Sequence, residues 1–506
     1  MHIILSTLNA RYIHSSLGLR YLHANMQALA DDTEICEFII NTRPIDIAEK
    51  LLAKNPKIIG FGIYIWNIAE TTDVISIIKL LEPNITIVIG GPEVSFEQSS
   101  QKIVSLSDYV ISGAADHAFR DLCEKVIKQE LPKSKFISPL PFDLSSITFP
   151  YFLYNNEDIQ NRVLYVEASR GCPFKCEFCL SSLDKTAWNF DIDLFLHEIQ
   201  KLYDRGARRF KFVDRTFNLK ISHSKRILTF FLDKKDNTIF LHFELIPDHL
   251  PDPLKEIIQQ FPQGTLQFEI GIQSFDDNVQ QLISRKQNNA KSKENIRWLV
   301  NKTHAHLHTD LILGLPGDNL SSIAKSFDEL MELKPHEIQV GILKRLRGTP
   351  LTRHTENYTM KYNTSPPYNI LSNKDLNFDT MQRLNRFARY WDMIANSGRF
   401  SHTLPMILDY KPFIRFLKLS DWLYKNTDQT HKINLNRLFS LLHRSLIELF
   451  NIEKSLAEKC LLNDYQISGL KGRAKFLIEA SNVEIKSTKN EPNHQTPSRQ
   501  SRHLQS

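Results

Sequence analysis

The sequence predicts an α/β protein in three parts: an N-terminal doubly wound parallel sheet, a central partial (β/α)6 barrel and a helical C-terminal region. Three observations carry this. Short apolar runs alternate with amphipathic segments through the first 350 residues, and the runs lack polar alternation, as strands buried on both faces require. After residue 162 one such strand recurs roughly every 25–35 residues, the rhythm of βα units. Beyond residue 351 the rhythm stops, and longer helical periods dense in aromatic residues take over.

Residues 1–130 hold the first sheet. Strands are expected at Ile3–Leu5, Glu37–Ile40, Lys57–Ile65, Ile85–Gly90 and Tyr109–Ser112. Helices are expected in a period reaching Leu29, and at Ile45–Lys54, Ala69–Leu81 and His117–Gln129. Doubly wound sheets bind ligands beyond the carboxyl ends of their strands. Two such ends stand out: Tyr64-Ile65-Trp66-Asn67 and Gly90-Gly91-Pro92-Glu93. Paired glycines let the backbone approach a large ligand, and Tyr64 and Trp66 offer flat faces to a ring. A tight turn beside core aromatics accounts for the same residues.

Residues 131–161, rich in proline and polar groups, read as a linker. The barrel follows over 162–351, with strands at Val163–Ala168, Arg209–Asp214, Phe240–Leu245, Thr265–Ser274, His306–Gly317 and Glu337–Leu343. Six strands fit a partial barrel better than a closed eight. Acids and amides recur at their carboxyl ends: Asp214, Glu244, Glu269 with Gln273, and Asp310. Barrel enzymes place their chemistry at that rim.

Directly after the first barrel strand come Cys172, Cys176 and Cys179, spaced C-x3-C-x2-C. Thiolates are soft ligands, and three on one loop suit a [4Fe–4S] cluster whose fourth iron stays open for chemistry. A zinc loop is the alternative, but zinc takes four ligands, usually from two separated pairs, and no second pair is present.

The remaining cysteines, Cys36, Cys123 and Cys460, are isolated, which points to a reducing compartment rather than a disulfide framework. The N-terminus lacks the basic start and long apolar core of a signal peptide, and the apolar run Ile58–Ala69 is too short to span a bilayer. A cytoplasmic location is expected. The formal net charge of +6 is small for 506 residues, and no basic stripe interleaved with aromatics suggests nucleic acid.

The order of Tyr64-Ile65-Trp66-Asn67, Gly90-Gly91-Pro92-Glu93 and the cysteine loop resembles the cobalamin-binding radical S-adenosylmethionine (SAM) proteins. The resemblance covers roughly the first 350 residues. It implies that Cys172, Cys176 and Cys179 hold a [4Fe–4S] cluster, and that Tyr64, Trp66, Asn67, Gly90, Gly91 and Glu93 line a cobalamin site. Phe178 would lie against the adenine of SAM. Glu269-Ile270-Gly271-Ile272-Gln273-Ser274 and the Asp310 strand resemble those of coproporphyrinogen dehydrogenases and methylthiotransferases, which assigns Gln273 and Asp310 to SAM. Asp214, Glu244 and Glu269 are further SAM candidates at the same rim. Asp214 falls where Val213-Asp214-Arg215 replaces the family's Gly-Gly-Glu. Gly113-Ala114-Ala115-Asp116 likewise departs from a Gly-Glu-Gly-Glu loop. The D-x-H-x-x-G motif that supplies a histidine to cobalt is absent; His14 lies outside its spacing and is expected to be a solvated loop residue.

The implied function is cobalamin-dependent methyl transfer to a carbon or phosphorus centre of a small molecule, fed by an electron donor such as flavodoxin or ferredoxin. A radical SAM cyclase or rearranging enzyme is one alternative. A non-catalytic iron–sulfur or cobalamin redox sensor is the other, and the SAM strand patterns argue against it. Scattered remaining cysteines disfavour a methylthiotransferase. Residues 352–483 are expected to form a helical domain and 484–506, nearly free of apolar groups, a disordered tail.

Overall fold

The apolar run after the N-terminus becomes an inner strand of the first sheet. β1 (Ile3–Asn9) is buried along its whole length, between β2 (Thr33–Ile39) and β3 (Ile58–Gly62), both parallel to it. β4 (Thr86–Gly90), β5 (Tyr109–Ile111) and β6 (Phe136–Ile137) complete the parallel order β2-β1-β3-β4-β5-β6. The computed structural model describes residues 2–470, 474 and 498–503. They fall into two units, one of Met1–Phe217 with Lys344–Thr352 and Asn363–Asn369, the other of Asn218–Leu343, Arg353–Tyr362 and Ile370–Ser506.

Successive strand residues point to opposite faces, and in this sheet both faces are covered. Ile4, Leu8, Ile59 and Ile87 pack with residues of α2 (Pro44–Leu52), α3 (Ile68–Leu81) and α4 (Lys102–Leu106). Ile3, Leu5, Ile58 and Val88 pack on the other side with α1 (Leu17–Ala24) and α5 (Ala118–Ile127). Two departures from expectation have local causes. α1 stops at Ala24, short of Leu29, because the Asn25 side chain donates to Tyr21 O at 2.8 Å and to Thr148 O at 3.3 Å. β2 starts at Thr33 rather than Glu37; as an edge strand it is only half-buried, so its polar residues hide it from an apolar-run criterion.

The expected linker is not featureless. β6 adds the sixth strand, with Ser112 N donating to Ile137 O at 3.0 Å, and α6 (Asn156–Asn161) starts at a capping box on Asn155. The first unit then continues with β7 (Leu164–Val166), an antiparallel hairpin of β8 (Ser169–Arg170) and β9 (Trp188–Asn189), α7 (Ile192–Asp204), and β10 (Arg209–Phe212) parallel to β7.

The second unit opens with α8 (Ile221–Leu232), β11 (Phe240–Leu245), α9 (Asp252–Ile258), β12 (Leu266–Gln273), α10 (Asp277–Leu282) and α11 (Asn289–Lys302). β13 (His306–Leu313), α12 (Leu320–Glu332) and β14 (Glu337–Ile342) follow, and β11 to β14 are neighbours in parallel register. β7 and β10 are parallel to each other within the first unit, and counted with these four they bring the parallel strands after residue 162 to the six expected. One face of β12 and β13 is buried through Phe268, Ile270, Leu307 and Leu311, while Glu269, Gln273, His308 and Asp310 occupy the half-buried alternate positions.

The helical region begins after the ribbon β15 (Lys361–Tyr362) and β16 (Ile370–Ser372). It comprises α13 (Phe378–Ile394), α14 (Leu404–Leu408), α15 (Pro412–Thr427), α16 (Leu435–Glu448) and α17 (Lys454–Ile467). Its aromatics form a core: Trp391 stands 4.8 Å from Phe327 and 4.9 Å from Phe416, ring to ring. Most of the tail expected to be disordered lies outside the described residues. Its segment α18 (Ser498–His503) is helical instead, held by Arg499 to Asp392 at 2.8 Å and Glu337 at 2.9 Å. No helix among the described residues is long and apolar enough to cross a membrane.

Candidate functional site

The β8–β9 hairpin closes the base of the cysteine loop, pairing Ser169 with Asn189 and Arg170 with Trp188. Gly171, at φ +85°, admits no side chain, since a Cβ there would collide with Thr186 O. Cys172 N donates to Asp184 O and Cys179 N to Cys176 O, both at 3.1 Å, so backbone bonds fix the loop. Cys176 is buried and the other two are half-buried. Burial raises the Cys172 thiol above its ordinary pKa, and repulsion from Cys179 and Cys176 adds to it. Among the described residues no three His, Cys, Asp or Glu converge on a single ion. Thiolates that each take a different iron need no such convergence, so three soft donors on one fixed loop fit a [4Fe–4S] cluster.

Asp214 anchors the approach to this loop. Its two carboxylate oxygens accept from Ala168 N at 3.0 Å and Ser169 Oγ at 2.6 Å, and burial pushes its pKa up to about 7. A carboxylate so committed positions the loop's first strand; it does not stand open for a ligand, as the sequence had suggested.

In the same unit, a cavity of about 730 Å³ opens beyond the carboxyl ends of β1, β3, β4 and β5. Tyr64, Trp66, Gly90 and Gly91 line it, with Tyr64 and Trp66 stacked at 4.4 Å and 6°. Gly91, at φ +110°, would drive a Cβ to 2.5 Å from Ile63 O. A large apolar hollow with a glycine rim and stacked aromatics fits a corrin.

Two expected members are elsewhere. Asn67 is fully buried and ties strand ends together, donating to Leu8 O and Gly62 O at 3.1 Å and accepting from Tyr64 N at 2.8 Å. Glu93 is outside the cavity lining, held by Arg347 Nε and Tyr368 Oη at 2.8 Å each. A motif alone does not distinguish a ligand from a brace when both need a polar residue at a strand end.

The cavity also recruits residues that the sequence did not single out. Arg170, two positions before Cys172, donates to both oxygens of Asp116 at 2.9 and 3.0 Å and to Glu167 at 2.9 Å. All three line the cavity. Burial opposes the Arg170 charge, but Glu167 and Asp116 more than offset it and raise its pKa. His14, expected to be solvated, is half-buried in the cavity wall with Nδ1 2.7 Å from Tyr165 Oη. Burial, then the positive Lys211 and Arg11, lower its pKa and keep it neutral at pH 7.

In the second unit, Glu244, Glu269, Gln273 and Asp310 are half-buried at their strand positions. Gln273 ends β12 at a register shift with φ +68°, and its buried Oε1 has no hydrogen-bond partner. Such an orphan acceptor fits a group awaiting a ligand's donor. Glu269 pairs with His242 at 3.0 Å, and Asp310 with His308 at 3.3 Å. Burial opposes charge on His308, but Asp310 and Glu337 raise its pKa to about 9. The alternation of His306, His308 and Asp310 along one strand was the available signal for this polar file. Phe178, in the first unit, is half-buried on the cysteine loop.

Family models match three stretches: the B12 binding domain over residues 4–123, the Radical SAM superfamily over 166–330, and a family described as a protein of unknown function (DUF4080) over 356–505. The chain is 27% identical over 228 residues to the uncharacterized methyltransferase PH0819 of Pyrococcus horikoshii, covering 40% of this chain and 49% of that protein. It is 22% identical over 344 residues to the cobalamin-dependent radical SAM methyltransferase TokK of Streptomyces tokunonensis, covering 58% and 48%. The chain thus spans about half the length of these curated relatives. In fold it resembles the cobalamin-dependent SAM radical enzyme OxsB with aqua-cobalamin bound, with TM-score 0.63, 13% identity and coverage of 100% and 84%. It also resembles the radical SAM methyltransferase TsrM of Kitasatospora setae with cobalamin and a [4Fe–4S] cluster bound, with TM-score 0.58, 13% identity and coverage of 73% and 78%.

Proposed function

We propose that this chain, which carries a B12 binding domain followed by a Radical SAM domain, is a cobalamin-dependent radical SAM methyltransferase acting on a carbon or phosphorus centre of a small molecule. One observation carries the reading. Arg170, at the base of the cysteine loop, is held in a two-pronged ion pair by Asp116 of the glycine-rimmed cavity, so the two cofactor sites share a wall.

When bound, the cluster and SAM supply one-electron radical chemistry and the corrin supplies methyl transfer. The chain's own residues bind and orient. Cys172, Cys176 and Cys179 are the cluster ligands, on a loop fixed by backbone bonds and by Asp214 at its approach. Tyr64, Trp66, Gly90 and Gly91 hold the corrin and keep water from its face. In the second unit, Gln273, Glu269 and Asp310 are the proposed SAM contacts, with Gln273 Oε1 the acceptor left for its donor group. The reductant is a low-potential donor such as flavodoxin or ferredoxin.

The test is anaerobic reconstitution with iron, sulfide and hydroxocobalamin, then dithionite and SAM. Formation of S-adenosylhomocysteine with 5′-deoxyadenosine is expected. Absence of both overturns the enzyme reading, and 5′-deoxyadenosine alone favours the cyclase. Cys176→Ala is expected to lose the cluster's visible absorbance.

A further inference from the structure

We propose that Lys344–Thr352, a segment of the first unit, is a strap through which corrin binding and cluster assembly reinforce each other, with Arg347 as its positioning residue. The inference rests on the cobalamin and cluster readings above and adds how one site senses the other.

One end of the strap grips the loop that follows the glycine rim. Ser95, in that loop, bridges two glycines of the cavity lining: its Oγ donates to Gly91 O at 2.8 Å and accepts from Gly113 N at 3.3 Å. Glu93 is buried, and its Oε1 accepts from Arg347 Nε and Tyr368 Oη, both at 2.8 Å. Glu97 accepts from Arg345 Nη2 at 2.8 and 2.9 Å and from Arg347 Nη1 at 3.2 Å. Between them, Gly348 at φ +79° packs so closely on the Phe96 ring that a Cβ would collide with it.

The other end holds the cysteine loop. Leu351 N donates to Glu177 O at 3.1 Å, and both residues are buried. Glu177 sits inside the turn that the bond from Cys179 N to Cys176 O closes. Leu351 lies four residues beyond Arg347, at most about 14 Å of extended chain. Thr349 Oγ1 also donates back to Leu346 O at 2.7 Å, so the strap has little slack. A buried ion pair adds little net stability, because desolvation offsets the attraction; what the Arg347 fork fixes is position. A corrin against Gly90 and Gly91 orders the rim loop, and a cluster on the cysteines orders the turn at Glu177. With the two joined by a short strap, either event lowers the ordering entropy left for the other. Linkage then makes the effect equal in both directions.

The test measures hydroxocobalamin affinity by anaerobic equilibrium dialysis on the full chain, before and after reconstitution with iron and sulfide. In wild-type protein the cluster is expected to tighten corrin binding about tenfold. Arg347→Gln, which removes the fork, and Gly348→Ala, which lifts the strap from Phe96, are each expected to reduce that ratio to about twofold or less. Glu93→Gln, a milder change at the same contact, replaces Arg347→Gln if that variant does not fold. The ratio is the readout, because a residue that only braces the fold weakens binding in both states and leaves the ratio unchanged. Equal wild-type affinity with and without the cluster overturns the coupling. So does a ratio preserved in the variants, which assigns the communication to Arg170 and Asp116 instead. Absence of bound hydroxocobalamin from wild-type protein in both states overturns the cobalamin reading, and the coupling with it.

Discussion

Arg170 meets both oxygens of Asp116, at 2.9 and 3.0 Å, while its ring-facing side lies 4.6 Å from the centre of Tyr21. A planar guanidinium satisfies this site because it can fork onto one carboxylate, reach Glu167 with its third nitrogen and stack on an aromatic face. Asp116→Asn leaves Arg170 with half its countercharge in a buried setting. A loss of about 3 kcal/mol of stability is expected, in the range for breaking a buried pair. Arg170→Lys keeps the charge but loses the fork, so it is expected to weaken both corrin binding and cluster retention. Denaturant titration and corrin absorbance after gel filtration check the two effects. An Asp116→Asn protein as stable as wild type would show the pair to be incidental.

Gly91 supports a prediction of a different kind. A methyl group there would stand 2.5 Å from Ile63 O, and φ +110° lies outside the region open to side-chain-bearing residues. Gly91→Ala is expected to cost about 1–3 kcal/mol in backbone strain and to lower corrin affinity at least tenfold. Gly113→Ala is the control: its φ is also positive, but no atom lies within 4 Å of the added carbon, so it should show strain with a smaller loss of binding. Equal losses at the two positions would remove Gly91 from the corrin rim.

Much of this was legible in the sequence because it rests on local rules. Parallel strands buried on both faces read as apolar runs, and C-x3-C-x2-C reads as a cluster loop without tertiary knowledge. What was not legible depends on which strand end meets which distant loop. Glu93 and Asn67 have the right residue types at the right strand ends, yet the partners that claim them are Arg347, Tyr368 and Leu8. His14 and Tyr165 are 151 positions apart, so no spacing rule joins them. β2 reads short in the sequence because an edge strand carries polar residues that mask its pattern.

His308 makes stability fall as pH rises. Burial opposes its charge, but the ion pair with Asp310 and the charge of Glu337 raise its folded-state pKa to about 9, against 6.5 for an ordinary histidine. That ion pair spans 3.3 Å, and a group whose pKa is raised on folding stabilises fully below the unfolded value and loses that contribution as pH climbs through the folded one. The window is therefore about pH 6.5 to 9. His308→Gln is expected to flatten the Tm profile there. Asp214 has the same sign in a lower window, from its ordinary 3.8 to about 7, because burial favours its protonated form. Asp214→Asn should flatten only that lower range. Unchanged slopes in both variants would contradict the buried environments assigned to these groups.

Gln273 combines two local penalties, one of which a ligand relieves. Its φ of +68° is costly for a residue with a Cβ, by about 1 kcal/mol, and its buried Oε1 lacks a donor. Gly271 makes room for it, since a Cβ there would lie 2.5 Å from Gln273 Nε2, and the Arg285 guanidinium donates to Gly271 O beside it. Gln273→Gly removes both penalties while adding the flexibility of glycine to the unfolded chain, so stability is expected to stay within about 1 kcal/mol of wild type. SAM affinity is expected to fall about tenfold, the equivalent of one hydrogen bond to a buried acceptor. Gln273→Ala, which keeps the strained backbone, should lose the same affinity and be less stable than the glycine variant. Equilibrium dialysis with SAM and denaturant titration separate the two quantities. If Gln273→Gly binds SAM normally but unfolds easily, the residue braces the strand end and the SAM assignment fails.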